Sequence, residues 1–180
     1  MRAFVGLPLP DAALDALERV QEGLAAGRQV PPENLHLTLA FLDDQPEPVL
    51  ETLHQELAGI RAPALELHFT GLETFGGKLP RLLAAAVRKT PELSHLRHRV
   101  RSACRSAGIE LARERFRPHV TLARFPRHLE AGQVEKIARF LAAAAGFRLD
   151  AEADCFALYQ STLAPEGARY DLLAGYPLEG

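Results

Sequence analysis

His36-Leu37-Thr38-Leu39-Ala40 and His119-Val120-Thr121-Leu122-Ala123 are two copies of one pattern, 83 positions apart in a chain of 180 residues. In an extended strand successive side chains point to opposite faces. His36 and Thr38 therefore share one face, and Leu35, Leu37, Leu39 and Phe41 are expected on the other. The second copy reads the same way, with His119 and Thr121 on one face and Val120 and Leu122 turned into the protein. Each copy offers an imidazole beside a hydroxyl on a strand backed by apolar packing. A lone His-x-Thr is an ordinary polar pair on a strand, whereas two in matching settings indicate an internal repeat built around a site.

The flanking sequence repeats as well. Before the first copy, Arg2 to Leu7 reads as a strand. Leu14, Leu17, Val20 and Leu24 then recur at helical spacing after an Asp11 N-cap, and Gly27 stops the helix. After it come a helix over 47–60 with Val49, Leu50, Leu53, Leu57 and Ile60 on one stripe, and a strand in which Leu65, Leu67 and Phe69 alternate. The second half restarts with a strand over 81–87 and a helix over 91–107 with Leu93, Leu96, Val100 and Cys104 inward. The second His-x-Thr strand, a helix over 130–145, a long bulged or broken strand over 147–160 and a last strand over 170–176 complete it. A duplication of this kind predicts an α+β fold of two similar lobes. Their mostly antiparallel sheets face a central cleft, and the helices pack outside. The lobes divide at about 1–75 and 76–180, with the C-terminal strands free to cross between them. Neither half has the core to stand alone, so 1–180 is read as one domain.

Composition narrows the function. With 47 % hydrophobic and 24 % charged residues and a net charge of −2, the chain has no global attraction for duplex nucleic acid or anionic membrane, and a polyanion must be gripped locally. The apolar run after Arg2 ends at Pro8, too short for a signal peptide or a membrane span, which implies a cytoplasmic protein. Cys104 and Cys155 have neither zinc nor disulfide-framework spacing and read as small buried thiols. His95 and His98 sit among Arg97, Arg99 and Arg101 and read as a solvated basic helix face. No Walker or dinucleotide loop and no Gly-x-Ser-x-Gly elbow is found.

Two imidazoles across a cleft suit concerted proton transfer, one taking a proton from a nucleophile and the other giving one to a leaving group. Two threonine hydroxyls can donate to oxygens on the reacting centre. A phosphodiester, with two exposed oxygens, fits that arrangement better than a carbonyl. No carboxylate or third histidine flanks either motif at ligand spacing, so neither a metal nor a cofactor is expected.

Asn34-Leu35-His36-Leu37-Thr38-Leu39 and Arg117-Pro118-His119-Val120-Thr121-Leu122 resemble the two signature motifs of the two-histidine phosphoesterase superfamily. Arg2-Ala3-Phe4-Val5 and Leu158-Tyr159-Gln160-Ser161 further resemble its bacterial and archaeal RNA 2′,3′-cyclic phosphodiesterase branch, also called 2′-5′ RNA ligase-like. The resemblance implies metal-free opening of a 2′,3′-cyclic phosphate on an RNA 3′ end to a 2′-phosphate, with 2′-5′ end joining as a related reaction. Carried over by position, His36 and His119 are the acid–base pair, with His119 as base on water and His36 as acid on the 3′ oxygen. Thr38 and Thr121 hold phosphate oxygens. Arg124 contacts phosphate, although strict alternation points it away from His119 unless the strand bulges before Pro126. Phe4, Phe75, Arg81 and Tyr159 are the remaining expected base and phosphate contacts, and the protein is expected to act as a monomer. The alternatives are a cyclic phosphodiesterase for small nucleotides or ADP-ribose derivatives, and a binding module without turnover.

Overall fold

The computed structural model describes residues 1–179. The chain runs β1 (Arg2–Pro8), α1 (Asp11–Glu22), a two-residue strand β2 (Arg28–Gln29), a 3-10 turn over Pro32–Asn34, β3 (His36–Asp44), α2 (Glu47–Ala58) and β4 (Leu65–Gly76). It continues with β5 (Pro80–Val87), α3 (Pro91–Ser106), β6 (His119–Arg124), α4 (Ala131–Ala143), β7 (Leu149–Ala153), β8 (Cys155–Ala164) and β9 (Gly167–Pro177). Local chemistry sets several ends. The Thr90 hydroxyl accepts from Leu93 N–H at 3.2 Å with Pro91 at the first helical position, and Glu130 with Gln133 forms a capping box on α4. Asp11 is not the expected cap. Pro10 holds that position, and Asp11 sits in the first turn, where its charge still favours the helix N-terminus. The helix ends at Glu22, short of Gly27, and the long strand expected over 147–160 breaks at Asp154 into β7 and β8.

All pairings are antiparallel, and the fold is α+β with a nine-stranded sheet ordered β7-β4-β5-β6-β3-β1-β8-β9, β2 adding to β6. From the middle outward the two sides correspond: β3-β1-β8-β9 on one, β6-β5-β4-β7 on the other. The two central strands meet at a single register pair, Leu37 with Val120. β4, which closes the first repeat in sequence, pairs with β5, while β8 and β9 follow β1, so each half of the sheet holds strands from both halves of the chain. The helices exchange in the same sense, α1 packing on β6 and β7 and α3 on β3 and α2. Leu17, Leu53, Leu57, Leu93, Leu96 and Val100 are completely or almost completely buried against the helix side of the sheet, joined there by Leu37 and Leu39. At about 25 cal/mol per Å² of apolar surface removed from water, each large side chain contributes roughly 1.5–3 kcal/mol.

Both motif strands carry the same irregularity at the same position. β1 pairs Val5 with Ala40 but Gly6 with Thr38, leaving Leu39 as an extra residue on β3. β5 pairs Leu83 with Ala123 but Ala84 with Thr121, leaving Leu122 as the extra residue on β6. A bulge of this kind resets the alternation of everything after it. Leu39 and Ala40 are accordingly both buried, Leu42 is buried, and Phe41, expected in the core, is 59 % exposed. In β6, Leu122 and Ala123 are both buried and Arg124 is exposed.

Candidate active site

The bulges and the single β3–β6 contact open a cavity of about 250 Å³ on the sheet face opposite the helices, lined by Val30, Asn34, His36, Thr38, Phe41, Leu82, His119, Thr121, Arg124 and Tyr170. Both histidines, both threonines and Arg124 therefore meet in one place although their motifs are 83 residues apart. The bulge at Leu122 is what turns Arg124 inward. Its carbonyl is held twice, accepting from Val30 N–H at 2.9 Å and from the buried Gln21 side chain at 2.9 Å, and Gln21 also donates to Val30 O at 2.8 Å.

His36 is tightly fixed. Its Nδ1–H donates to Asn34 O at 2.7 Å, since a carbonyl can only accept, and neutral Nε2 then takes the Thr38 hydroxyl at 2.9 Å. Asn34 is itself buried and its amide donates to Ala168 O at 2.7 Å, tying β9 to the motif. Behind the imidazole lies an aromatic stack: Phe4 at 4.5 Å between centroids, Tyr159 stacked on Phe4 at 5.0 Å, and Tyr170 edge-on to His36 at 5.2 Å. Gly6 permits this fit, because a Cβ there would lie 3.0 Å from Leu37 O and 3.2 Å from His36 Cδ2. Burial is the main reason the His36 pKa falls from 6.5 to about 4. The Asn34 carbonyl opposes the fall, while the positive fields of Arg124 and His119 add to it.

His119 is half-buried like His36, with Nδ1–H donating to Arg117 O at 2.6 Å. Phe75 covers it at 4.6 Å between centroids, and the Arg117 guanidinium lies 4.2 Å above the Phe75 ring and 3.6 Å from Glu73. With Nδ1 donating in both copies, Nε2 is the nitrogen turned toward the cavity, and in His36 its lone pair is engaged by the Thr38 hydroxyl.

Four of the expected base and phosphate contacts, Phe4, Tyr159, Arg81 and Phe75, lie outside the cavity lining. Phe4 is 3 % exposed and has no face left for a substrate base. It supports His36 from behind. Tyr159 pairs with Phe4 in register and completes that stack without lining the cavity. Arg81 is exposed and does not line the cavity; it is the extra residue on β5 where Pro80 pairs with Gly76 and Leu82 with Phe75. Phe75 pairs in register with Leu82 as Tyr159 does with Phe4, so it too braces a histidine. No local pattern marks Tyr170, Val30 or Leu82 as cavity residues, and strict alternation puts Phe41 in the core because it carries no trace of the bulge.

The basic helix face is engaged elsewhere. Arg97 pairs with Glu114 at 3.3 Å over the Phe116 ring, Arg101 donates to Ala112 O at 2.8 Å and Arg105 to the Ser102 hydroxyl at 3.1 Å. Cys104 and Cys155 are free thiols, the first buried and the second half-buried, and burial pushes the Cys104 thiol up to about 11. The donor set nearest to a metal-binding cluster is Glu66, His68 and Asp150, whose ligand atoms lie within 4.8 Å of one another. His68 already donates to Asp150 at 2.7 Å there, on the β4–β7 edge, and none of the three lines the cavity. Among the described residues no helix is long and apolar enough to cross a membrane.

Residues 8–162 match the family model of the 2′-5′ RNA ligase superfamily. An RNA 2′,3′-cyclic phosphodiesterase of Thermus thermophilus is 32 % identical over 197 residues, covering 100 % of this chain and 91 % of that protein. A protein of the same name from Geobacillus stearothermophilus is 31 % identical over 98 % of this chain, which spans only 57 % of that relative's length. Among solved structures, a phosphoesterase superposes with a TM-score of 0.81 at 25 % identity, covering 99 % of this chain and 98 % of the other. Escherichia coli LigT complexed with 3′-AMP superposes with a TM-score of 0.79 at 26 % identity, covering 98 % and 97 %. The chain belongs to the 2′-5′ RNA ligase superfamily of two-histidine phosphoesterases.

Proposed function

We propose that the protein is a metal-independent RNA 2′,3′-cyclic phosphodiesterase, acting as a monomeric single domain of two lobes on RNA 3′ ends in the cytoplasm. The observation that carries the reading is one cavity holding two imidazoles anchored through Nδ1, two hydroxyls and one guanidinium. These groups match the needs of a phosphodiester: a base, an acid and donors for two non-bridging oxygens. Water attacks phosphorus as His119 takes its proton. The bond to the 3′ oxygen breaks with protonation from His36, leaving a 2′-phosphate and a 3′-hydroxyl. Thr38, Thr121 and Arg124 hold the charge that builds on the other oxygens. A 5′-hydroxyl in place of water would give a 2′-5′ linkage by the same steps.

His36 starts neutral in the free cleft, because burial opposes its charge. The acid role therefore requires the anionic substrate to offset the fields of Arg124 and His119 and return the proton. Protonated Nε2 can no longer accept from Thr38, so the same event frees that hydroxyl for a phosphate oxygen. The relatives named as RNA 2′,3′-cyclic phosphodiesterases support the substrate class. The test is incubation of RNA ending in a 2′,3′-cyclic phosphate with the protein in chelator, with the product end mapped. Conversion to a 2′-phosphate is expected. A 3′-phosphate product, or activity that returns only with a divalent ion, overturns the mechanism.

A further inference from the structure

Arg28 lies at the mouth of the cavity by three independent placements. It pairs in register with Arg124 across β2 and β6, and directly opposite residues of antiparallel strands share a face with Cβ atoms about 4.5–5.5 Å apart. It precedes the cavity residue Val30 by two positions in extended chain, which again puts it on the cavity side. Its guanidinium reaches the β8–β9 turn, 3.6 Å from where a Cβ on Gly167 would be. The close approach of β2 to β6 depends on Gly27, whose φ is +74° and where a Cβ would lie 2.5 Å from Phe125 Cδ1 and 2.7 Å from Arg124 O.

Two guanidiniums facing each other on one side of a sheet repel. Among the described residues neither Arg28 nor Arg124 pairs with a carboxylate. Two other arginines are held by neighbours of their own: Arg117 by Glu73 and Phe75, Arg97 by Glu114 and Phe116. What stabilises an opposed arginine pair is an anion on each, and Arg124 is already committed to the cavity floor beside His119 and Thr121.

We infer that Arg28 binds the phosphate that links the terminal nucleotide to the one before it, so that the cleft selects an oligonucleotide 3′ end over a mononucleotide. Two arginine side chains diverging from adjacent positions span successive phosphates of a single strand. The inference rests on the proposed reading of the cavity as a site for an RNA end, and it adds what fixes the direction of the strand: out past β2, between Arg28 and the β8–β9 turn.

The test is the affinity of the full chain and of Arg28→Ala for a nucleoside 2′-phosphate and for a dinucleotide carrying the same 2′-phosphate, measured by calorimetry over a salt series. In the full chain the dinucleotide binds more tightly. Arg28→Ala should cut the dinucleotide-to-mononucleotide affinity ratio about tenfold and reduce the log–log salt slope for the dinucleotide by about 0.7, the amount for one single-strand phosphate contact. Arg28→Lys should restore part of both. An unchanged ratio, whether both affinities fall together or neither falls, overturns the inference. Turnover of the two matching cyclic phosphates, measured in parallel, separates the claims. Binding ratios that shift as stated without any turnover sink the hydrolase reading and leave Arg28 in place. Turnover with an unshifted ratio does the reverse.

Discussion

The two motif copies share backbone geometry and differ in what surrounds it. Both place His and Thr on one face, both bulge at the third residue after the histidine, and both anchor Nδ1 on the carbonyl two residues upstream. The bulge then presents Phe41 in one copy and Arg124 in the other at the same position of the cavity. Both imidazoles are half-buried, but His36 packs against Phe4 and Tyr170 with Tyr159 behind, whereas His119 has Phe75 over it and the Arg117 guanidinium on that ring. Duplication thus supplies a symmetric frame, and a few substitutions around it make one side apolar and aromatic and the other cationic. An asymmetric substrate, with a base at one end and a phosphate at the other, matches that division.

The most severe way to test the symmetry is to remove either imidazole. His36→Ala and His119→Ala should each lower turnover by about 10²-fold or more, and the double variant should lose less than the product of the two, because one proton-transfer unit is disabled once. Near-full activity in either folded single variant would make that copy a structural relic.

Acid stability should separate the copies next. The unfolded chain holds a proton on His36 at pH below about 6.5, whereas the folded protein takes it only near 4. The neutral burial of His36 therefore contributes stability that is intact above pH 6.5 and is lost as pH falls through the window from 6.5 to about 4, in total roughly 3 kcal/mol. Denaturant unfolding of wild type and His36→Gln at pH 7 and pH 4.5 checks this: the variant should lose less on acidification. Equal losses would mean that His36 is protonated freely in the folded state.

The Phe41 and Arg124 positions should fail in different ways. Arg124→Ala removes a charge-assisted contact and should weaken binding of a phosphate-bearing nucleotide by about 1.5–3 kcal/mol, with a shallower salt dependence. Phe41→Ala should weaken it by about 1–3 kcal/mol through lost stacking and leave the salt slope unchanged. Indistinguishable salt slopes in the two variants would break the division into aromatic and cationic sides.

A smaller effect is expected behind the second bulge. Gln21→Leu leaves the Val30 carbonyl without its side-chain donor, at about 1–3 kcal/mol of stability, while Leu122 O keeps Val30 N–H. If this variant also loses phosphate affinity, the bulge needs Gln21 to aim Arg124. If affinity is unchanged, the backbone bonds to β5 and Val30 hold the bulge without Gln21.

Much of this was determined by the sequence alone. Period-two and period-3.6 apolar patterns placed the four helices and, apart from the two-residue β2, most strands to within a few residues. The repeated His-x-Thr identified the residues that meet in the cavity, because both signals are local and independent of partners. What only the tertiary structure decided is how that face continues and what stands behind it. A bulge is a property of two paired strands, so no pattern in β3 alone could move Phe41 from core to cavity, and Arg124 needed the same event on β6. Likewise Phe4 reads in sequence as an aromatic near a strand start, and it becomes the floor under His36 only through β1 pairing with β3 and β8. Arg28 was silent because a two-residue edge strand has no periodicity, and its place beside Arg124 exists only once β2 has docked on β6.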